Sequence, residues 1–223
     1  GEGHYSNLGY LVLGGVVEAV TGRSFGAHVE AEILDRLGMS GTGFYYDEPR
    51  FSPATRHAVA SHPHDFVGFL VSLSLHMDAL ERESAAGRYW FNRFHPDQSA
   101  PSGLVGPSVD ALRFARLILR GGEVDGTRLL SSRSISAMLQ PRAEIVESPA
   151  GDLEGFSFGY GWFLGRDEAG RRLVLHGGGG MGFTTMLMIW PDEARAVFVA
   201  ANGSYVDGAM GQRLAQAFGA VDW

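Results

Sequence analysis

The sequence predicts an α+β fold, and three observations carry that prediction. Apolar residues recur at helical spacing from Leu8 to Leu37, whereas after Gly151 the chain turns to glycine-punctuated apolar runs of strand length. The turns between those runs are too short for a helical crossover, so neighbouring strands pair antiparallel. Helices first and a strand meander second is the α+β order, not the alternating pattern of a parallel sheet.

In chain order, Leu8, Leu11, Val12, Val16, Ala19 and Val20 line a first helix, with Ser6 or Asn7 available as its cap and Gly22 as its stop. A second helix starts at Phe25 behind Ser24, carries Phe25, Val29, Ile33 and Leu37 on one face and ends at Gly38. From Gly43 to Gly106 prolines and aromatics interrupt any period, and a long irregular stretch in a compact chain lines a binding site or moves. Pro107-Ser108-Val109-Asp110 opens a helix that runs to Arg120 and stops at Gly121-Gly122. A short helix runs from Ser132 to Pro141. Strands are expected over Phe158–Leu164, Arg172–His176, Phe183–Trp190 and Ala196–Ala201, with turns at Gly170 and Pro191-Asp192, and a last helix over 208–218 covers the sheet. This divides the chain into a mainly helical region, 1–150, and a sheet with its C-terminal helix, 151–223.

Composition narrows the function classes. At 223 residues and 45% apolar content the chain can bury a core. Its net charge of −7, without a basic cluster, argues against nucleic acid or an anionic membrane as partner. No cysteine is present, which removes disulfides, thiolate metal sites and a cysteine nucleophile together. The apolar run Leu8 to Val20 is too short to span a membrane and lacks the charged leader and cleavage site of a signal peptide. All 18 basic residues are arginine; lysine is absent.

Two segments carry chemistry. Tyr5-Ser6-Asn7 feeds directly into a helix, whose N-terminal partial positive charge favours a phenolate or an anionic intermediate. His176 ends an apolar strand and is followed by Gly177, Gly178, Gly179 and Gly180, which let a backbone approach a ligand with its N–H groups exposed. As bland alternatives, Ser6 or Asn7 merely caps the helix, and the glycines form a hairpin turn with an edge histidine.

Taken together, Gly3-His4-Tyr5-Ser6-Asn7, the following run through Thr21-Gly22, Gly38-Met39-Ser40-Gly41-Thr42 and His176 to Phe183 resemble the serine β-lactamase and penicillin-binding-protein superfamily. Arg36 departs from that pattern, which usually has proline there. The resemblance implies a β-lactamase/transpeptidase-like fold with its active site between a helical part and an antiparallel sheet. It implies Tyr5 as general base or proton shuttle, and Asn7 as the amide that orients substrate and catalytic lysine. His176, Gly177 and Gly178 would stand for the family's Lys-Thr-Gly, with the Gly179 N–H as half of an oxyanion hole. The nucleophile and its base belong to Ser-x-x-Lys, which a lysine-free chain cannot contain, so the resemblance places them upstream of Gly1. The implied reaction is acylation of a serine by the ester, amide or β-lactam carbonyl of a small-molecule or peptide substrate, followed by hydrolysis, without metal or organic cofactor.

Histidine in place of lysine shifts the expected substrate. A histidine of ordinary pKa is mostly neutral at pH 7, so it donates a hydrogen bond where lysine would hold a carboxylate, which favours esterase, D-aminopeptidase or amidase chemistry. The second class of function is a non-catalytic module, either a truncated product or a pseudoenzyme. A third reading takes Gly155-Phe156-Ser157-Phe158-Gly159 as the nucleophile elbow of an α/β-hydrolase, but the following residues alternate like a strand and the glycine loop comes after the serine. His62-Pro63-His64-Asp65 lacks a third metal ligand, and Asn202-Gly203-Ser204 reads as a turn before a glycosylation site. If the resemblance holds, the Tyr5 hydroxyl and the His176 ring face one cleft.

Overall fold

The computed structural model describes residues 1–44, 61–63, 81–85, 87–91, 100–147, 155–180 and 182–203. A short strand, β1 (Glu2–His4), leads into helix α1 (Asn7–Thr21). Ser6 is the cap: its backbone is extended and its hydroxyl accepts the Gly9 N–H at 3.0 Å, while Gly22 closes the helix with a left-handed φ of 68°. Asn7 is therefore the first helical residue, with its side chain free of the capping task.

Helix α2 (Phe25–Val29), capped by Ser24, continues into one π-helical turn, Glu30–Leu34. There Asp35 N–H reaches Glu30 O and Met39 N–H reaches Leu34 O, each at 2.8 Å. The wider turn inserts one residue into the helical count. Val29 and Leu37 are buried with Phe25 and Ile33 packed against them, as the sequence period puts them, and the wider turn adds the fully buried Leu34 to that face.

Helix α3 (Ser108–Leu119) starts after Pro107, and its buried Asp110 accepts hydrogen bonds from Thr42 Oγ1 at 2.8 Å and the Gly41 N–H at 3.1 Å. A hairpin of β5 (Glu123–Val124) and β6 (Thr127–Arg128) follows, turning on Asp125 and Gly126, both at positive φ. Helix α4 (Ser132–Met138) is capped by Ser131.

Seven strands form the main sheet: β1, β7 (Ala143–Glu147), β8 (Ser157–Phe158), β9 (Phe163–Arg166), β10 (Arg172–Gly180), β11 (Phe183–Trp190) and β12 (Arg195–Ala201), in that spatial order. Every pairing is antiparallel except β1 with β7, so the fold is α+β with a mostly antiparallel sheet. β2 (Ser61–Pro63), β3 (Glu81–Ala85) and β4 (Arg88–Phe91) make a separate three-stranded sheet, ordered β2-β4-β3.

Three points correct the sequence reading. The single strand expected over Phe158–Leu164 is two, β8 and β9, because Gly159 N–H bonds Trp162 O at 2.8 Å across a turn in which Gly161 has φ 79°. β10 does not stop at His176 but runs through the glycines to Gly180. β1 and β7 were not anticipated. The helix expected over 208–218 lies outside the described residues.

The sheet separates two apolar layers. Trp162, Leu164, Val174 and Ile189 pack with Ala115 and Ile118 of α3 and Ile135 of α4; Phe163, Leu173, Leu175, Met188 and Trp190 form the other cluster, which Tyr5 and Phe158 join. The β9–β10 turn is held by Asp167, whose side chain is 1% exposed. Its carboxylate accepts from Arg171 Nε at 2.7 Å, Trp190 Nε1 at 2.9 Å and the backbone N–H groups of Ala169 and Arg171. Burial alone would raise its pKa, yet the hydrogen bonds from Arg171 and Trp190 hold it below the ordinary aspartate value. The stability it supplies is therefore complete above that ordinary value and is lost as pH falls through the lowered one. Asp167→Ala should cost about 3 kcal/mol, read as a shift in the urea midpoint, because it strands the buried Trp190 N–H and the Arg171 guanidinium.

Candidate active site

The sheet brings the two chemistry-bearing segments together. Tyr5 stands between the end of β1 and the cap of α1, and β1 is held in the sheet by its parallel register with β7. His176 is the first residue of β10 beyond the end of β9, since Leu175 is the last to pair there, with Phe163. The Tyr5 and His176 rings lie 6.4 Å apart, centroid to centroid, and both lean on Phe163, at 6.2 Å and 5.5 Å. Phe163 is buried, so it forms a fixed wall behind both groups.

Electrostatics set the resting protonation. Burial pushes His176 below its ordinary value, against an opposing hydrogen bond involving the Gly177 backbone, so the imidazole is neutral at pH 7. Burial pushes Tyr5 up, so the helix N-terminus does not by itself yield the phenolate that the sequence suggested. Tyr10, whose ring is 6.4 Å from Tyr5, is raised by burial and by Tyr5. Asn7 is exposed one residue into α1. Among the described residues, no hydrogen bond occupies the Tyr5 hydroxyl or the Asn7 amide.

The glycines after His176 are strand, not hairpin turn. Gly177, Gly178, Gly179 and Gly180 face Met186, Thr185, Thr184 and Phe183 of β11 in register. A Cβ at Gly178 would come within 2.7 Å of Thr185 Oγ1, and one at Gly180 within 2.7 Å of the Phe183 ring, so a side chain at either position requires the facing side chain of β11 to move. A Cβ at Gly179 would meet nothing closer than 3.8 Å, and the residue is exposed. Its backbone is approachable from outside the sheet.

Ser157 sits elsewhere in chemical terms. It is a strand residue of β8, paired with Glu144 and Leu164, with an ordinary backbone and no helix after it. A nucleophile elbow requires a strained strand-to-helix turn, so that reading is rejected. His62 and Pro63 form part of β2, whereas His64 and Asp65 lie outside the described residues. No group of three or more His, Cys, Asp or Glu side chains suited to a metal occurs among the described residues, and no described helix is long and apolar enough to cross a membrane. Asn202 and Gly203 follow β12, and the Gly203 carbonyl accepts from Thr184 Oγ1 at 2.8 Å.

Sequence reasoning missed Phe163 and Tyr10. Phe163 reads as one more strand aromatic, and Tyr10 as one more helix residue.

Residues 1–220 match the model of the Beta-lactamase family. The chain belongs to the β-lactamase family. It is 30% identical over 206 residues to penicillin-binding protein 4 of Amycolatopsis lactamdurans, an alignment covering 89% of this chain and 47% of that protein. Its fold is similar to the octameric penicillin-binding protein homologue of Pyrococcus abyssi, with TM-score 0.72, 23% identity and coverage of 96% of this chain and 42% of the other. It is also similar to the D-stereospecific amidohydrolase of Streptomyces sp., with TM-score 0.70, 21% identity and coverage of 98% and 55%. The β-lactamase family chain thus spans about half the length of the proteins it matches, and the serine β-lactamase and penicillin-binding-protein superfamily is the one its motifs resembled.

Proposed function

We propose that this β-lactamase family chain supplies the second and third motifs of a serine hydrolase that works through an acyl-enzyme, with the Ser-x-x-Lys nucleophile on a segment outside these 223 residues. The observation that carries the reading is the convergence of Tyr5 and His176 on Phe163 beside an approachable Gly179 backbone. A second observation supports the outside segment. Helix α1 is apolar on nearly every side, yet Leu8, Val12, Leu13, Val16 and Val20 are 68%, 61%, 57%, 51% and 81% exposed. A helix apolar all round belongs in an interior, and only the narrow stripe Tyr10, Gly14, Val17 and Thr21 is turned inward here.

In the proposed reaction the lysine ammonium holds Tyr5 as its phenolate, and as the serine hydroxyl attacks a substrate carbonyl its proton passes, by way of the lysine, to the Tyr5 oxygen. The carbonyl oxygen becomes an oxyanion held by the Gly179 N–H and the N–H of the serine itself. Collapse breaks the bond to the leaving group, which takes the proton back from Tyr5, and water then hydrolyses the acyl-serine by the same proton route. Asn7, with its amide unoccupied, orients the substrate and the lysine. Neutral His176 donates a hydrogen bond to the acyl part without the fixed charge a carboxylate would need, and Gly177 adds no hydroxyl. Both features favour esters and amides whose acyl group bears no carboxylate, D-amino acid amides among them, over carboxylate-bearing β-lactams.

The test is a substrate panel on the full-length protein, with mass-spectrometric location of a fluorophosphonate adduct. Labelling of the serine in Ser-x-x-Lys and turnover of p-nitrophenyl esters or D-alanine amides ahead of a chromogenic cephalosporin support the reading; an unlabelled serine overturns it. His176→Lys should move relative kcat/KM toward the cephalosporin by about tenfold, the scale of one charge-assisted hydrogen bond.

A further inference from the structure

Tyr5 is chemically exposed to misplacement. It lies outside α1, so the helical ladder does not fix its side chain, and no hydrogen bond among the described residues holds its hydroxyl. Its orientation therefore depends on the rings around it: Phe163, His176 and Tyr10. Phe163 belongs to the core and His176 is its proposed working partner. Tyr10 is the remaining support, and it comes from the helix that Tyr5 precedes.

The structure fixes Tyr10 well. It heads the inward stripe of α1, ahead of Gly14, Val17 and Thr21, on a helix whose other apolar residues are largely exposed. Its hydroxyl end lies beside the β8–β9 turn, close enough that a Cβ on Gly161 would come to 3.9 Å from the oxygen. That same turn leads directly into Phe163. One side chain thus links the helix that Tyr5 precedes with the hairpin that carries the wall behind Tyr5.

We propose that Tyr10 is a positioning residue, whose ring, set between Tyr5 and the Gly161 turn, fixes the orientation of the Tyr5 ring beside His176. The proposal rests on the serine hydrolase reading for its rate consequences, and not for its geometry. Burial, and then the neighbouring Tyr5, raise the Tyr10 phenol above its ordinary value, so the ring and not a charge on Tyr10 does the positioning. A misplacement of about 1 Å in a catalytic group can cost on the order of a hundredfold in rate.

The experiment compares Tyr10→Leu, which removes the ring and keeps apolar bulk, with Tyr10→Phe, which keeps the ring, in the full-length protein. Two readouts are used: kcat and KM for a p-nitrophenyl ester, and the NMR signals of the His176 ring, identified by their loss in His176→Gln. Tyr10→Leu should lower kcat by about ten- to a hundredfold with little change in KM and should move the His176 signals, which sense the Tyr5 ring. Tyr10→Phe should restore both. In a Tyr5→Phe background, Tyr10→Leu should cost no further rate, because a positioning residue has nothing left to position. Three results would overturn the proposal: an additive loss in that double variant, a Tyr10→Phe as damaging as Tyr10→Leu, or unmoved His176 signals. Should Tyr5→Phe itself leave the rate intact, the serine hydrolase role of Tyr5 fails, while the NMR comparison still decides whether Tyr10 orients it.

Discussion

Tyr5→Phe in the full-length protein is expected to lower the acylation rate by about a hundredfold or more, the scale of a lost general base or shuttle. The substitution removes one oxygen and leaves the ring contacts with Phe163, Tyr10 and His176 in place, so the melting temperature should hold. Direction matters as well as size. Burial keeps the Tyr5 phenol protonated at neutral pH in this chain, so on its own it is a poor standing base. A lysine ammonium brought close by the proposed segment would stabilise the phenolate and pull the value down. In that case the wild-type rate rises with pH through the Tyr5 range and levels once the phenol is ionised, and Tyr5→Phe loses that limb of the profile. A loss below about tenfold, with the pH profile intact, would remove Tyr5 from the proton path.

What was legible in the sequence follows from what is local. Ser6, Ser24 and Gly22 mark helix ends because caps act within one turn, and β11 falls where its apolar run and Pro191 put it. The second helical segment, by contrast, ends at Leu34, and Gly38 lies in the turn beyond it. The two motifs pointed to Tyr5 and His176 because each is a contiguous string. What failed was long-range or broke a period. The parallel pairing of Glu2–His4 with β7 has no alternation to announce it, and its sequence sign, Gly3, matters only because Phe158 of the next strand fills the space a side chain would need. The π turn adds Leu34 to the inward face beside Ile33, an addition that no regular period can foresee. Tyr160 to Leu164 alternates like a strand, so the Gly161 turn was read through, and with it went the placement of Phe163 and the significance of Tyr10. Asp125-Gly126 was a readable hairpin signal that went unused.

The 223-residue chain alone should not turn over p-nitrophenyl esters or a chromogenic cephalosporin. The sequence contains no lysine, and in the proposed mechanism nucleophile and base act as one unit, so their absence costs on the order of a millionfold. In that mechanism Gly179 and His176, which sit in a paired strand, would still bind substrate, but half an oxyanion hole without an attacking group would not accelerate acyl transfer. The exposed apolar face of α1 adds a physical consequence: contiguous Leu and Val surface of this kind drives association, so the isolated chain should be marginally stable and elute above its monomer size. Supplying the Ser-x-x-Lys segment, fused or as a separate chain, should restore labelling by a fluorophosphonate and sharpen the elution together, because one element completes the chemistry and covers the helix. Restored solubility without labelling would make the chain's partner structural and not catalytic. Turnover by the 223 residues alone, abolished by Ser157→Ala and untouched by Tyr5→Phe, would move the active site to β8 and undo the assignment from its root.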